Sequence, residues 1–322
     1  MVRAAKPFKT LDQQIALLSG RGMAVSTDEA LPWLAHVGYY RLSGYFYPYR
    51  MIATMPHTGG RLDDFESGTD FSYVTALYEF DRKLRALIFD ALERVEIALR
   101  SQLSYQLGVK DSFDYRNASS FRPGFDHHSW LTTVTKRVNR SRRHSDPIRH
   151  YDQHYNGDLP IWVLVDVLDF SDVSRAFEGL PAQAQWTIGD NLGLSINLQP
   201  LTKNQRRKTA ANHPLARWLE QLTIVRNTCA HHSRTWNRSF TPVGTAALKT
   251  VDMLGSLPDS QSERLYGALL VMGRLLQAVS PGSTWMSKVR TLIITQLEAI
   301  PGRSAAEVGF PPEWKQDPAW HE

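Results

Sequence analysis

The residues best equipped for chemistry lie between 226 and 238. They are Arg226-Asn227-Thr228-Cys229-Ala230-His231-His232, then Arg234, Trp236, Asn237 and Arg238. An imidazole exchanges protons near neutral pH, so His231 could take the proton of a ribose 2′-hydroxyl or protonate a departing 5′-oxygen. Arg226 stays cationic and offers a planar fork to phosphate oxygens, where negative charge builds as the linkage breaks. Together they suit cleavage of RNA without a metal. Asn227 and His231, four residues apart, share a helical face. His232 is a second imidazole for the same role, with His231 placed first. The same spacing also describes an ordinary surface Arg beside a helix-terminal His.

These groups need a helix to carry them. Leu215, Trp218, Leu219, Leu222 and Val225 recur at three- and four-residue steps, which predicts one buried stripe. Pro214 suits the first helical position, where its missing N–H costs nothing. On an ideal helix Arg226 and His231 stand about 140° apart and roughly 7.5 Å along the axis. A long Arg side chain or a loosened last turn brings both onto one phosphate.

The pattern Arg226-Asn227-x3-His231, followed by His232-x-Arg234-x-Trp236-Asn237-Arg238, resembles the signature of HEPN ribonuclease domains. More narrowly, it is similar to the Abi-like abortive-infection family of the AbiD/AbiF type. Three other blocks are similar to that family: Gly38-Tyr39-Tyr40-Arg41-Leu42-Ser43-Gly44-Tyr45; Phe80 to Arg85 running on to Glu93 through Arg100; and Leu159-Pro160-Ile161-Trp162. The resemblance spans roughly residues 6 to 300. It implies an all-α fold of HEPN type, RNA cleavage at a site shared between two HEPN units, and a role in stopping phage infection. With one signature per chain, the acid and the base would come from His231 of two protomers in a two-fold homodimer. Some members of the family are associated with a small non-coding RNA, so a non-catalytic RNA-binding or sensing protein is the competing reading.

A second long helix is predicted from Asp70 to about Leu107. Tyr73, Leu77, Phe80, Leu84, Leu87, Ile88, Leu92, Val95, Leu99 and Leu103 hold the helical step, and Gly108 ends it. Arg82, Phe89, Glu93, Glu96 and Arg100 project as a neighbouring face, and Asp81 falls at the edge of the apolar stripe. Asp81 must be paired or near solvent, because a lone buried carboxylate is too costly. Glu96, Arg100 and Asp81 are the expected supports that orient the Arg226/His231 pair; ion pairs within the bundle are the alternative.

The chain has 322 residues, a net charge of +5 and a pI near 9.3. That length admits one large or two ordinary domains, and the composition is that of a soluble globular protein. Positive charge gathers at Lys136, Arg137, Arg140, Arg142 and Arg143 and again at Arg206, Arg207 and Lys208. With Arg234 and Arg238 these are the expected RNA contacts, since phosphate attracts such clusters through counterion release; solvated helix ends are the alternative. Cys229 is the single cysteine, which excludes an internal disulfide and a Cys-based zinc cage. No apolar run reaches the ~18–20 residues a bilayer needs, and the start of the chain has no apolar core of a secretory signal, so the cytoplasm is expected.

Three regions are expected along the chain. Residues 1–65 form a small helical appendage of helix-turn-helix type, with Ser26-Thr27-Asp28-Glu29 as a capping box. Its segment Tyr39 to Tyr49 carries five tyrosines around Arg41, either to stack unpaired bases or to pack the appendage on the core. Met55 to Gly60 is a turn-rich connection. Residues 66–300 form the HEPN-like domain, with a basic, irregular insert at 109–160. His150 and His154 could share a helical face there, but no His-Glu-x2-His pattern accompanies them, so neither a metal nor a cofactor is expected. Pro160 to Leu168 reads as helix rather than strand, its continuation capped at Ser171 or Asp172. Helices follow around Trp186–Leu198, at Gln261–Val279 and at Thr284–Ile300. Residues 301–322 form an extended strap or mobile end.

Overall fold

A computed structural model describes residues 6–53 and 60–321; residues 55–59 of the expected connection lie outside the described residues. The fold is all-α, with thirteen α-helices and two two-stranded sheets among the described residues. Packing divides the chain into two compact units, residues 1–84 with 291–305 and residues 85–290 with 306–322. This division passes through the long helix, whereas the sequence reading cut the chain by order into 1–65, 66–300 and 301–322.

The first unit opens with helix α1 (Leu11–Gly20), closed at its start by a reciprocal capping box between Thr10 and Gln13. Helix α2 (Thr27–His36) is capped by Ser26, which accepts from the Glu29 N–H. A tight turn at Gly38, with φ +88°, leads into α3 (Tyr39–Phe46). Strands β1 (Arg50–Ile52) and β2 (Arg61–Phe65) pair antiparallel. Helix α4 (Phe71–Gly108) then begins, buried at Leu77, Phe80 and Leu84 as its periodicity predicts; Phe71 and Val74 are buried as well, and Tyr73 only half-buried. In the aromatic segment Tyr45, Phe46 and Tyr49 are buried and pack it on the core, while Tyr40 is 92% exposed.

In the second unit α4 continues its buried stripe through Ile88, Leu92, Val95, Leu99 and Leu103. The insert at 109–160 is not irregular as expected. It contains α5 (His127–Ser141), capped by Asp126, and α6 (Asp146–His154), capped by Ser145. Within α5 and α6 the buried apolar anchors are Trp130, Val134 and Ile148, too sparse to read against the polar background. Next come α7 (Ile161–Leu164), α8 (Phe170–Gly179), α9 (Ala182–Asn191), α10 (Lys203–Ala211) and α11 (Leu215–Ala230). The cap of α8 is Asp169, in a reciprocal box with Asp172, rather than Ser171 or Asp172.

Helix α11 is the centre of this unit. Leu215, Trp218, Leu219, Leu222 and Val225 are all fully buried, and α8 and α12 (Leu265–Val279) pack against it. Residues 243–244 and 261–262, expected in loop and helix, form β3 (Val243–Gly244) and β4 (Gln261–Ser262). The Gln221 side chain of α11 donates to the Thr241 and Ser262 carbonyls at 2.8 and 3.0 Å, tying this sheet to the helix. Helix α13 (Trp285–Leu292) continues as a π-helical turn at Ile293–Leu297. The end of the chain is no mobile strap. Phe310, Trp314 and Trp320 are buried and cluster with Tyr266 of α12, which supplies the apolar burial that orders it.

Candidate functional site

Helix α11 ends at the signature. Cys229 is buried as its last core contact, while Asn227, His231 and His232 are exposed. The turn that follows is a Schellman cap: the His232 N–H reaches the Cys229 carbonyl at 2.9 Å, and the Ser233 N–H reaches the Thr228 carbonyl at 3.0 Å. His232 therefore holds φ +54°, the left-handed region in which Gly is the cheap choice. His231 is the C-cap, its own N–H on the Asn227 carbonyl at 3.0 Å. The loop beyond is pinned: Trp236 is fully buried, and Arg264 donates to the Asn237 carbonyl at 3.0 Å.

Arg226 is half-buried and donates to Asn227 Oδ1 at 3.3 Å. It lines a cavity of about 540 Å3 with Phe89, Asp90, Leu92, Glu93, Glu96, Ile97 and Arg100, all from α4. Glu96 and Arg100 thus share a cavity with Arg226, and they form an ion pair with each other. Arg100 is further held by the Asp166 and Leu168 carbonyls at 3.0 and 2.8 Å. His231 and His232 are not among the lining residues. Asp81 belongs to the first unit, fully buried, where it accepts from the Tyr45 hydroxyl at 2.6 Å.

The expected RNA contacts fall in three places. Lys136, Arg137 and Arg140 are on α5, with Arg142 and Arg143 just after it; Arg206, Arg207 and Lys208 are on α10; Arg234 and Arg238 lie in the pinned loop. Much of the first cluster is already neutralised. Arg137 pairs with Asp169 and Asp172 at 2.7 and 2.8 Å, Arg140 with Asp169 at 3.0 Å, and Arg142 with Asp152 at 3.1 Å. The hydrogen bond with Asp172 is the main reason the Arg137 guanidinium sits above its usual pKa. Arg206 is spent on the carbonyls of Leu198 and Gln199, and Arg207 bonds Asn204. Lys136, Arg143 and Lys208 are exposed and make no ion pair among the described residues. His150 and His154 lie one turn apart on α6, rings 4.7 Å apart.

The family model for the Abi-like protein matches residues 32–237, more than half of the chain. The chain belongs to the Abi-like protein family. The matched span ends at Asn237, so it takes in Arg226, Asn227, His231 and His232 of this member, along with all of α4. No curated protein and no solved structure matches the chain. Among the described residues no helix is long and apolar enough to cross a membrane.

Two residues outside the expected site set stand out in the structure. Glu93 lines the Arg226 cavity; its signal was the helical projection that sets it on one face with Phe89, Glu96 and Arg100. His213 is fully buried, and its Nδ1 accepts from the Leu215 N–H at 3.1 Å, so an imidazole caps the first turn of α11. The Gln185 Oε1 accepts from the His213 N–H at 2.9 Å, and Nε2 is buried without a hydrogen bond. Burial lowers the His213 pKa to about 4; the Leu194 backbone offsets this in part without closing a bond of normal geometry to Nε2.

Proposed function

We propose that this Abi-like protein is a metal-independent endoribonuclease of HEPN type, of the AbiD/AbiF kind, acting in abortive infection. The observation that carries this reading is the exposed end of α11. A helix buried along most of its length surrenders Asn227, His231 and His232 to solvent in its last turn and cap, directly after Arg226. In the proposed reaction one imidazole accepts the proton of a ribose 2′-hydroxyl while its oxygen attacks the adjacent phosphorus. The bond to the 5′-oxygen breaks, and an imidazolium gives that oxygen its proton, leaving a 2′,3′-cyclic phosphate and a 5′-hydroxyl. Arg226 steadies the charge on the non-bridging oxygens. Glu96 and Arg100 act through Arg226 by fixing the wall on which it rests.

Acid and base would come from the His231 side chains of two copies. Tyr105 and Val109 near the end of α4, and Trp162 beside Gly108, are exposed apolar side chains, at 70, 65 and 52%, that a two-fold contact would cover. The test is incubation of the purified protein with total RNA in chelator, with end-group analysis of the fragments. Cyclic-phosphate ends produced by the native protein and lost in His231→Ala support the nuclease. RNA binding that survives with no cutting by either protein favours the RNA-sensing reading instead.

A further inference from the structure

The cavity beside Arg226 contains opposite charges that do not satisfy each other. Three carboxylates line it. Asp90 is tied to Arg94 and Glu96 to Arg100. Glu93 is exposed, and its side chain makes no hydrogen bond or ion pair among the described residues. Arg226, in the same cavity, bonds only its neighbour Asn227 among the described residues. Phe89, Leu92 and Ile97 line the same cavity with apolar surface. About 540 Å3 is within the range that small-ligand sites occupy.

We propose that this cavity is a guanine subsite, in which Glu93 reads the base and Arg226 holds the phosphate. It rests on the nuclease reading only in taking RNA as the source of the nucleotide. An ionised carboxylate accepts hydrogen bonds and donates none. Of the four RNA bases, guanine alone presents two adjacent donors on its pairing edge, N1–H and N2–H, which match both oxygens of one carboxylate. Uracil places its N3–H between two carbonyls that would face the negative charge. Adenine and cytosine offer one amino group beside a ring nitrogen that accepts. Guanine is therefore selected by donors, and the apolar wall takes the face of its ring.

The experiment is equilibrium binding of GMP, UMP, AMP, CMP and guanosine to the full chain and to two variants. The native protein is expected to bind GMP at least tenfold more tightly than UMP. Glu93→Gln, at an exposed position, brings GMP to within threefold of UMP and leaves UMP unchanged. Arg226→Ala lowers GMP to the level of guanosine and keeps the order of the bases. Equal affinities in the native protein, or a guanine preference that survives Glu93→Gln, overturn the base assignment. An Arg226→Ala variant that still favours GMP over guanosine overturns the phosphate assignment. The tetranucleotide GUUU displacing bound GMP, with UUUU failing to, identifies RNA as the source; neither displacing it overturns that source. Guanine preference without cutting in chelator sinks the nuclease alone, and His231-dependent cutting indifferent to guanine sinks the subsite alone.

Discussion

Helix α11 is flanked by histidine at both ends, and the two ends have opposite fates. His213 is fully buried with a pKa held near 4, a neutral ring whose Nδ1 caps the first turn. His231 and His232 stand exposed at the other end, where backbone hydrogen bonds close the turn. The contrast separates an imidazole used as architecture from imidazoles available for reaction. Residue type does not distinguish them. Surroundings do: a ring enclosed by Gly189 and Trp186 cannot exchange protons with a substrate.

The comparison breaks first on activity. His231→Ala should lower RNA cleavage by about 10²–10⁴-fold, the usual worth of a positioned proton carrier, while thermal unfolding stays within about 0.5 kcal/mol because the site is exposed. Equal cutting by variant and native protein would undo the assignment.

The pH dependence of stability probes the other end. Unfolded, His213 would take a proton near its ordinary value of about 6.5; folded, it resists until about 4. Its contribution is therefore complete above pH 6.5 and is lost as pH falls toward 4, about 3 kcal/mol in all. His213→Asn keeps an acceptor for the Leu215 N–H and removes the titrating ring. Denaturant melts from pH 7 to 4 should show a shallower fall for the variant, and parallel curves would contradict the buried-neutral ring.

A steric test comes next. A Cβ on Gly189 would lie 2.4 Å from His213 Nε2. The ring is fixed by its cap, so Gly189→Ala should cost about 1–3 kcal/mol, read as a drop in melting temperature, although alanine normally favours a helix. The smallest effect is expected at the exposed turn. His232→Gly relieves the left-handed strain and should add about 0.5–1 kcal/mol of stability. Loss of cutting in that variant would assign chemistry to His232 as well; unchanged cutting would leave His231 alone in the role.

Both central helices were legible because burial imposes a period. The stripes of α4 and α11 repeat every three or four residues over many turns, and the structure buries those positions except Tyr73 and Leu87, which are half-buried. What stayed hidden depends on partners distant in the chain. Arg137 looks like free charge until Asp172, 35 residues away, takes it up. The helices α5 and α6 rest on three buried apolar anchors, too few to set a period. Asp169 outcompetes Ser171 and Asp172 as a cap because the Asp172 carboxylate returns a bond to the Asp169 N–H at 3.0 Å, a reciprocity no single residue reveals. At the site, Arg226 and the histidines could be found by type and spacing. Glu93 could be placed on its helical face but not chosen from it, because a carboxylate becomes conspicuous only when its neighbours are seen to be engaged elsewhere.

The lone thiol has a practical consequence. Cys229 is 1% exposed and two residues before His231. A thiol reagent enters only when the end of α11 opens, so its labelling rate clocks the breathing of this turn in the unmodified protein, with no background from any other sulfhydryl. An RNA that seats against the turn should slow that clock whether or not it is cut.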